Sequence, residues 1–279
     1  MPKLASKPTR PRDLLKRVLL LGLEMGVLAT GCAMMSQTMS QVATKFREGY
    51  QAQRSYEAGL DRYEAKDYGG AIAHFRQALS LEPDFDDAVA YLAWSYYHAG
   101  DHKEATRQFR RAIIRQPNWE GLYNGLGWSR YQVGRYHLAL EAFQAALDRD
   151  PTYRDATVGF AFSLFELGRY AEALPHLTRL TREGERGVVQ GPSRDPRDAD
   201  AVRSRLAWTL FYLGKYEQAR DEFSRGVAAR PNWYGLHNGL AWTYLHLGDQ
   251  KRARESFQRA LRVKPDYAEA LQGLALTGQ

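Results

Sequence analysis

Small and large apolar residues return along this chain every 34 positions, with one insertion of twelve residues after the fourth return. One small-residue column holds Gly59, Ala93, Gly127, Ala161, Ala207 and Ala241. A second holds Ala71, Ala105, Ala139, Ala173, Ala219 and Ala253. A bulky column follows with Phe75, Phe109, Phe143, Leu177, Phe223 and Phe257, then Ala78, Ala112, Ala146, Leu180, Gly226 and Ala260. The polar stretches between them are punctuated by Gly100, Gly134, Gly168, Gly214 and Gly248, and by Pro83, Pro117, Pro151, Pro231 and Pro265. Each column has a physical reading. Small residues let two helices approach closely, and the bulky column fills the space beside them. Glycine permits the turn between the two helices. Proline ends the second helix and starts the next unit.

So many columns agreeing at one period resemble the tetratricopeptide repeat, a helix–turn–helix unit of 34 residues. The resemblance covers about 52–187 and 200–267. It implies an all-α fold, a right-handed superhelical solenoid of six units at 52–85, 86–119, 120–153, 154–187, 200–233 and 234–267. Residues 268–279 would supply a final capping helix, since a terminal repeat has no neighbour to cover its apolar face. The fourth unit lacks its proline. The charged, Gly- and Pro-containing stretch 182–198 (within 182–199) reads there as a surface loop.

A second regularity lies over the first. PNWEGLYNGLGW (117–128) is nearly restated as PNWYGLHNGLAW (231–242), 114 residues later. Trp94 and Trp208, Trp119 and Trp233, and Trp128 and Trp242 keep the same offset, which is three repeats plus the insertion. A duplicated three-repeat block accounts for this.

The tryptophans belong to a column in the first helix of each unit: Leu60, Trp94, Trp128, Phe162, Trp208 and Trp242. Three residues later come Tyr63, Tyr97, Tyr131, Phe165, Phe211 and Leu245, on the same helix face. Four residues before the tryptophans stand Ala90, Asn124, Ser204 and Asn238. In tetratricopeptide arrays the first helices line the concave side and touch the partner. Carried onto this chain, that implies partner contact by Trp94, Tyr97, Asn124, Trp128, Tyr131, Phe162, Phe165, Trp208, Phe211, Asn238 and Trp242. The Lys and Asn clamp that grips a C-terminal carboxylate in peptide-binding members is not implied, because Trp replaces its Asn and its Lys is absent. Large rigid rings with a polar edge suit apolar recognition. The other reading is that these rings are core, and Trp119 and Trp233 read as packing. Gly125, Gly159, Gly239 and Gly273, inside first helices, each cost about 1 kcal/mol relative to Ala. Close approach of a neighbouring helix, or of a ligand, would explain them.

Charge adds little to the body of the chain. The formal net charge is +7, but residues 1–31 hold six basic side chains against Asp13 and Glu24, leaving +3 for the rest. Such a balance has no broad field for a polyanion, so nucleic acid is not an expected partner. One cysteine, Cys32, excludes an intramolecular disulfide and a cysteine zinc cluster.

The N-terminus is another matter. A basic stretch (1–17) precedes VLLLGLEMGVLATG, too short for a spanning helix and followed by Cys32. Leu28-Ala29-Thr30-Gly31-Cys32 resembles the lipobox of bacterial lipoproteins, although Glu24 interrupts the apolar run and Leu28 stands one place early. The resemblance implies a signal peptide cleaved after residue 31, a lipid anchor on Cys32, and a tether at 32–51 grading into helix. Ala33 implies sorting to the outer membrane, facing the periplasm. The alternative is an amphipathic or disordered N-terminus with a chance cysteine.

No phosphate-cradling loop, HExxH or GxSxG occurs, and no catalytic residue, metal or cofactor is implied. His98 and His246 share a column, which duplication explains. The sequence therefore points to a non-catalytic, lipid-anchored protein–protein interaction scaffold of the cell envelope, for pilus, polysaccharide-export or cell-wall machinery. The alternative is a glycan-binding module using the Trp/Tyr ladder.

Overall fold

The computed structural model describes residues 32–185 and 196–278. The expected signal peptide, 1–31, and residues 186–195 of the expected loop lie outside the described residues. Among those described there are thirteen helices and no strand, the all-α class expected. In chain order they are α1 (Cys32–Glu64), α2 (Tyr68–Leu81), α3 (Asp86–His98), α4 (His102–Arg115), α5 (Glu120–Gln132), α6 (Tyr136–Leu147) and α7 (Arg154–Glu166). Then come α8 (Tyr170–Glu185), α9 (Pro196–Tyr212), α10 (Tyr216–Ala229), α11 (Tyr234–His246), α12 (Gln250–Val263) and α13 (Ala268–Leu276). The chain divides into two compact units, one ending at Val133 and one running from Gly134 onward.

The turn column behaves as its glycines require. Gly100, Gly134, Gly168, Gly214 and Gly248 all have φ between 71° and 84°. The first unit has Lys66 in that column, and it adopts φ 61° all the same. A side chain there costs roughly 1 kcal/mol or more. Beyond the turn, Asp67, Asp101 and Asp249 cap the second helix by accepting from the backbone N–H three residues on. Arg135, Arg169 and Lys215 occupy the same place in the other units and make no side-chain cap.

The bulky column is the core. Phe75, Phe109, Phe143, Leu177, Phe223 and Phe257 are fully buried, as are the column alanines Ala71, Ala105, Ala139, Ala173, Ala219 and Ala253. Burying each such ring contributes about 1.5–3 kcal/mol. The glycines inside first helices are explained by these rings. A Cβ on Gly125, Gly159, Gly239 or Gly273 would overlap Phe109, Phe143, Phe223 or Phe257, each from the unit before. The close approach is a neighbouring helix's side chain. In the column of those glycines, the second unit has Tyr91, stacked 5.7 Å from Phe75, whose ring edge turns toward Gly59 instead. The fifth has Arg205, whose guanidinium lies 3.8 Å above the Phe162 ring.

Helix replaces part of the expected loop 182–198. α8 continues to Glu185, and α9 starts at Pro196, a residue suited to the first helical position because it has no N–H to leave unpaired. Arg203 of α9 pairs with Glu185 of α8 and Glu222 of α10. The stretch expected as a tether, 32–51, is part of α1.

Candidate functional site

The first-helix aromatics stand in three tiers, each set by its place in the repeat. In the first tier, a tryptophan meets the buried phenylalanine of its own unit edge to face. Trp94 lies 5.0 Å from Phe109, Trp208 5.1 Å from Phe223 and Trp242 5.4 Å from Phe257, with interplanar angles of 82–85°. In the second tier, one helical turn on, an aromatic residue meets that tryptophan's edge: Tyr97 on Trp94, Tyr131 on Trp128, Phe211 on Trp208. The edge-to-face preference of aromatic quadrupoles contributes roughly 0.5–1.5 kcal/mol per pair beyond burial.

The third tier crosses between repeats. The first residue of a second helix stacks flat on the last residue of the next unit's first helix. Tyr68 stacks on His98 at 5.0 Å, Tyr170 on Tyr212 at 4.6 Å and Tyr216 on His246 at 4.7 Å, with tilts of 16–21°. Desolvation by the surrounding rings holds the His98 imidazole below the ordinary histidine pKa and raises the Tyr170 phenol. In the later unit these contacts run unbroken from Phe165 through Tyr212, Trp208 and Phe211 to His246. The sequence signal for this tier was present: Tyr68, Tyr136, Tyr170 and Tyr216 share a column, as do His98, Tyr212 and His246. The shared histidine position is a stacking position as well as a trace of duplication.

Exposure sorts the expected partner-contact residues. Tyr97, Trp128, Tyr131, Phe165, Trp208, Phe211 and Trp242 are half-buried and keep an accessible edge. Trp94 and Phe162 are buried, at 8% and 7% exposure, and Asn124 and Asn238 more deeply still. The expectation that these four face a partner is therefore corrected. Trp94 is enclosed by Phe109, Tyr97 and His98, and Phe162 by the Arg205 guanidinium. The asparagines sit four residues before the tryptophan, a position that turns inward. Of the junction tryptophans, Trp119 is buried and Trp233 is half-buried. Beside Trp233 is an open depression of about 760 Å³ lined with Ala201, Arg230, Asn232 and Tyr234.

Among the described residues, no group of three or more His, Cys, Asp or Glu side chains could hold a metal ion. No described helix is long and apolar enough to cross a membrane.

Tetratricopeptide repeat models match residues 62–126, 124–203 and 204–268, so the chain belongs to the tetratricopeptide repeat family. Comparison with curated proteins gives no match. Solved structures give the same fold at low identity. PilF of Pseudomonas aeruginosa is 18% identical with a TM-score of 0.63, over 82% of this chain and 99% of that one. PilW, a type IV pilus biogenesis factor, is 21% identical with a TM-score of 0.60, over 80% and 98%. YrrB, a tetratricopeptide protein with an unusual peptide-binding site, is 19% identical with a TM-score of 0.59, over 71% and 96%.

Proposed function

We propose that this chain is a non-catalytic protein-interaction adaptor, lipid-anchored at Cys32 in the bacterial outer membrane and facing the periplasm. The observation that carries the adaptor reading is the row of half-buried aromatic edges on first helices: Tyr97, Trp128 and Tyr131 in one unit, Phe165, Trp208, Phe211 and Trp242 in the other. Rigid rings already fixed by edge-to-face contacts lose little rotamer entropy on binding, which suits them to be hot spots for an apolar partner segment. The anchor rests on the lipobox-like segment ending at Cys32. Pilus assembly is the first envelope system to test, because PilW, similar in fold, is a pilus biogenesis factor. Polysaccharide export and cell-wall machinery follow.

Geometry favours protein over glycan. Sugar recognition needs open ring faces, and His98 and Tyr212 lie flat against Trp94 and Trp208. It also needs hydrogen-bonding companions, and Asn124 and Asn238 are buried.

The test is cross-linked affinity purification from the membrane fraction, with wild type beside the Trp128→Leu/Trp242→Leu pair. Leucine keeps apolar bulk against Phe257 while removing the indole edge. With equal helicity, a partner recovered by wild type and missing from the variant is expected. Equal recovery would assign both tryptophans to packing. Cys32→Ser, run in parallel, should make the protein extractable from the membrane fraction by a high-salt wash that an acylated chain resists.

A further inference from the structure

We infer that the first half of α1 lies in a lipid interface, with Met39, Phe46 and Tyr50 inserted among the acyl chains. At 100° per residue, Met39, Ala43, Phe46 and Tyr50 fall within about 60° of arc. The residues that α1 buries, Ala52, Ser55, Tyr56 and Gly59, lie on the opposite side. The stripe therefore faces away from the repeats, and Met39, Phe46 and Tyr50 are 71%, 41% and 58% exposed. Glu57 falls on the same line and closes the stripe at its C-terminal end.

Three features choose lipid as the occupant. Cys32, the residue read as the lipid anchor, is the first residue of α1, so a bilayer that holds the anchor also lies near the stripe. Exposed Arg47 and Arg54 flank the stripe on one side, and Glu48 lies across the helix from it. Cations beside an apolar face, with the anion turned away, complement an anionic bilayer surface. Size argues against a second copy. Large side chains bury roughly 150–250 Å² each. Three of them fall short of the roughly 800 Å² per partner of a stable interface. Insertion into a bilayer has no such threshold of complementary area, because acyl chains close around each side chain separately.

This inference rests on the reading of the N-terminus as a membrane anchor, and the two are separable by experiment. The full chain carrying Cys32→Ser receives one new cysteine, at Met39, Gln41, Phe46, Glu48 or Tyr50. Each is labelled with an environment-sensitive fluorophore and mixed with vesicles in which a third of the lipid is phosphatidylglycerol. The expected result is a blue shift, and quenching by doxyl lipid, at 39, 46 and 50 but not at 41 or 48. No shift, or an equal shift at all five positions, would overturn the inference. So would a shift that grows with protein concentration in the absence of vesicles, which would mean a second copy covers the stripe. The anchor is read independently, from the intact mass of the wild-type chain taken from membranes. An unmodified Cys32 would remove the anchor while leaving the fluorescence result to stand by itself.

Discussion

The two copies of the duplicated block share a sequence pattern and differ in how tightly it is closed. In the earlier copy, α3 to α5, Trp119 is buried at 5% exposure, and Asp101 caps α4. In the later copy, α9 to α11, Trp233 is half-buried beside an open depression, and Lys215 leaves α10 without a side-chain cap. Both copies tie down the junction carbonyl: the Tyr123 hydroxyl donates to Pro117 at 3.1 Å, and His237 Nε2 donates to Pro231 at 2.7 Å. Both also pack glycine against phenylalanine between units. What repeats is the contact between helices. What has drifted is capping and cover at the ends of helices, where water can satisfy the backbone instead.

That contrast can be broken most sharply at the tryptophans. Trp119→Ala should cost about 3–5 kcal/mol, as truncation of a fully buried ring does, and Trp233→Ala clearly less. Equal costs in urea unfolding would mean that the exposure of Trp233 has no energetic meaning. Next come the glycines, where both copies should respond alike. Alanine at Gly125 or Gly239 gains about 1 kcal/mol of helix propensity. Overlap with Phe109 or Phe223 costs about 1–3 kcal/mol, so net destabilisation is expected in thermal melts of either variant. A gain in stability at either site would show that the ring moves aside freely.

The caps come third. Asp101→Ala should lose about 1 kcal/mol, and Lys215→Asp should recover a similar amount for the later copy. Lys66→Gly, relieving the left-handed lysine, should also gain about 1 kcal/mol. The smallest effect is with pH. The folded His98 pKa lies below 6.5, so the unfolded imidazole takes up a proton first as the pH falls. Stability is fully present above about pH 6.5 and is lost below it until the folded ring also protonates. His176, held low mainly by burial and then by Arg179, contributes in the same direction. His98→Gln should flatten, and not abolish, the decline in midpoint between neutral and mildly acidic pH.

Much of this was legible in the sequence. A 34-residue period carried by small, bulky, turn and proline columns determines paired helices, because each column answers a constraint local to one unit: approach, filling, positive φ, termination. Even the buried phenylalanines could be named from it. The occupants of the first-helix face could not be divided into core and surface that way. Trp94 and Trp128 stand in one column, yet the first is buried and the second keeps an edge. The fate of each ring depends on what the next unit brings against it, and a column records only its own position. The same reason hid the partner of each glycine and the flat Tyr–His and Tyr–Tyr stacks. Both ends of those contacts are periodic in sequence, but their meeting is a fact of how successive units pack. Sequence determined the unit and its number, and the tertiary structure decided which of its aromatic rings remain within reach of another molecule.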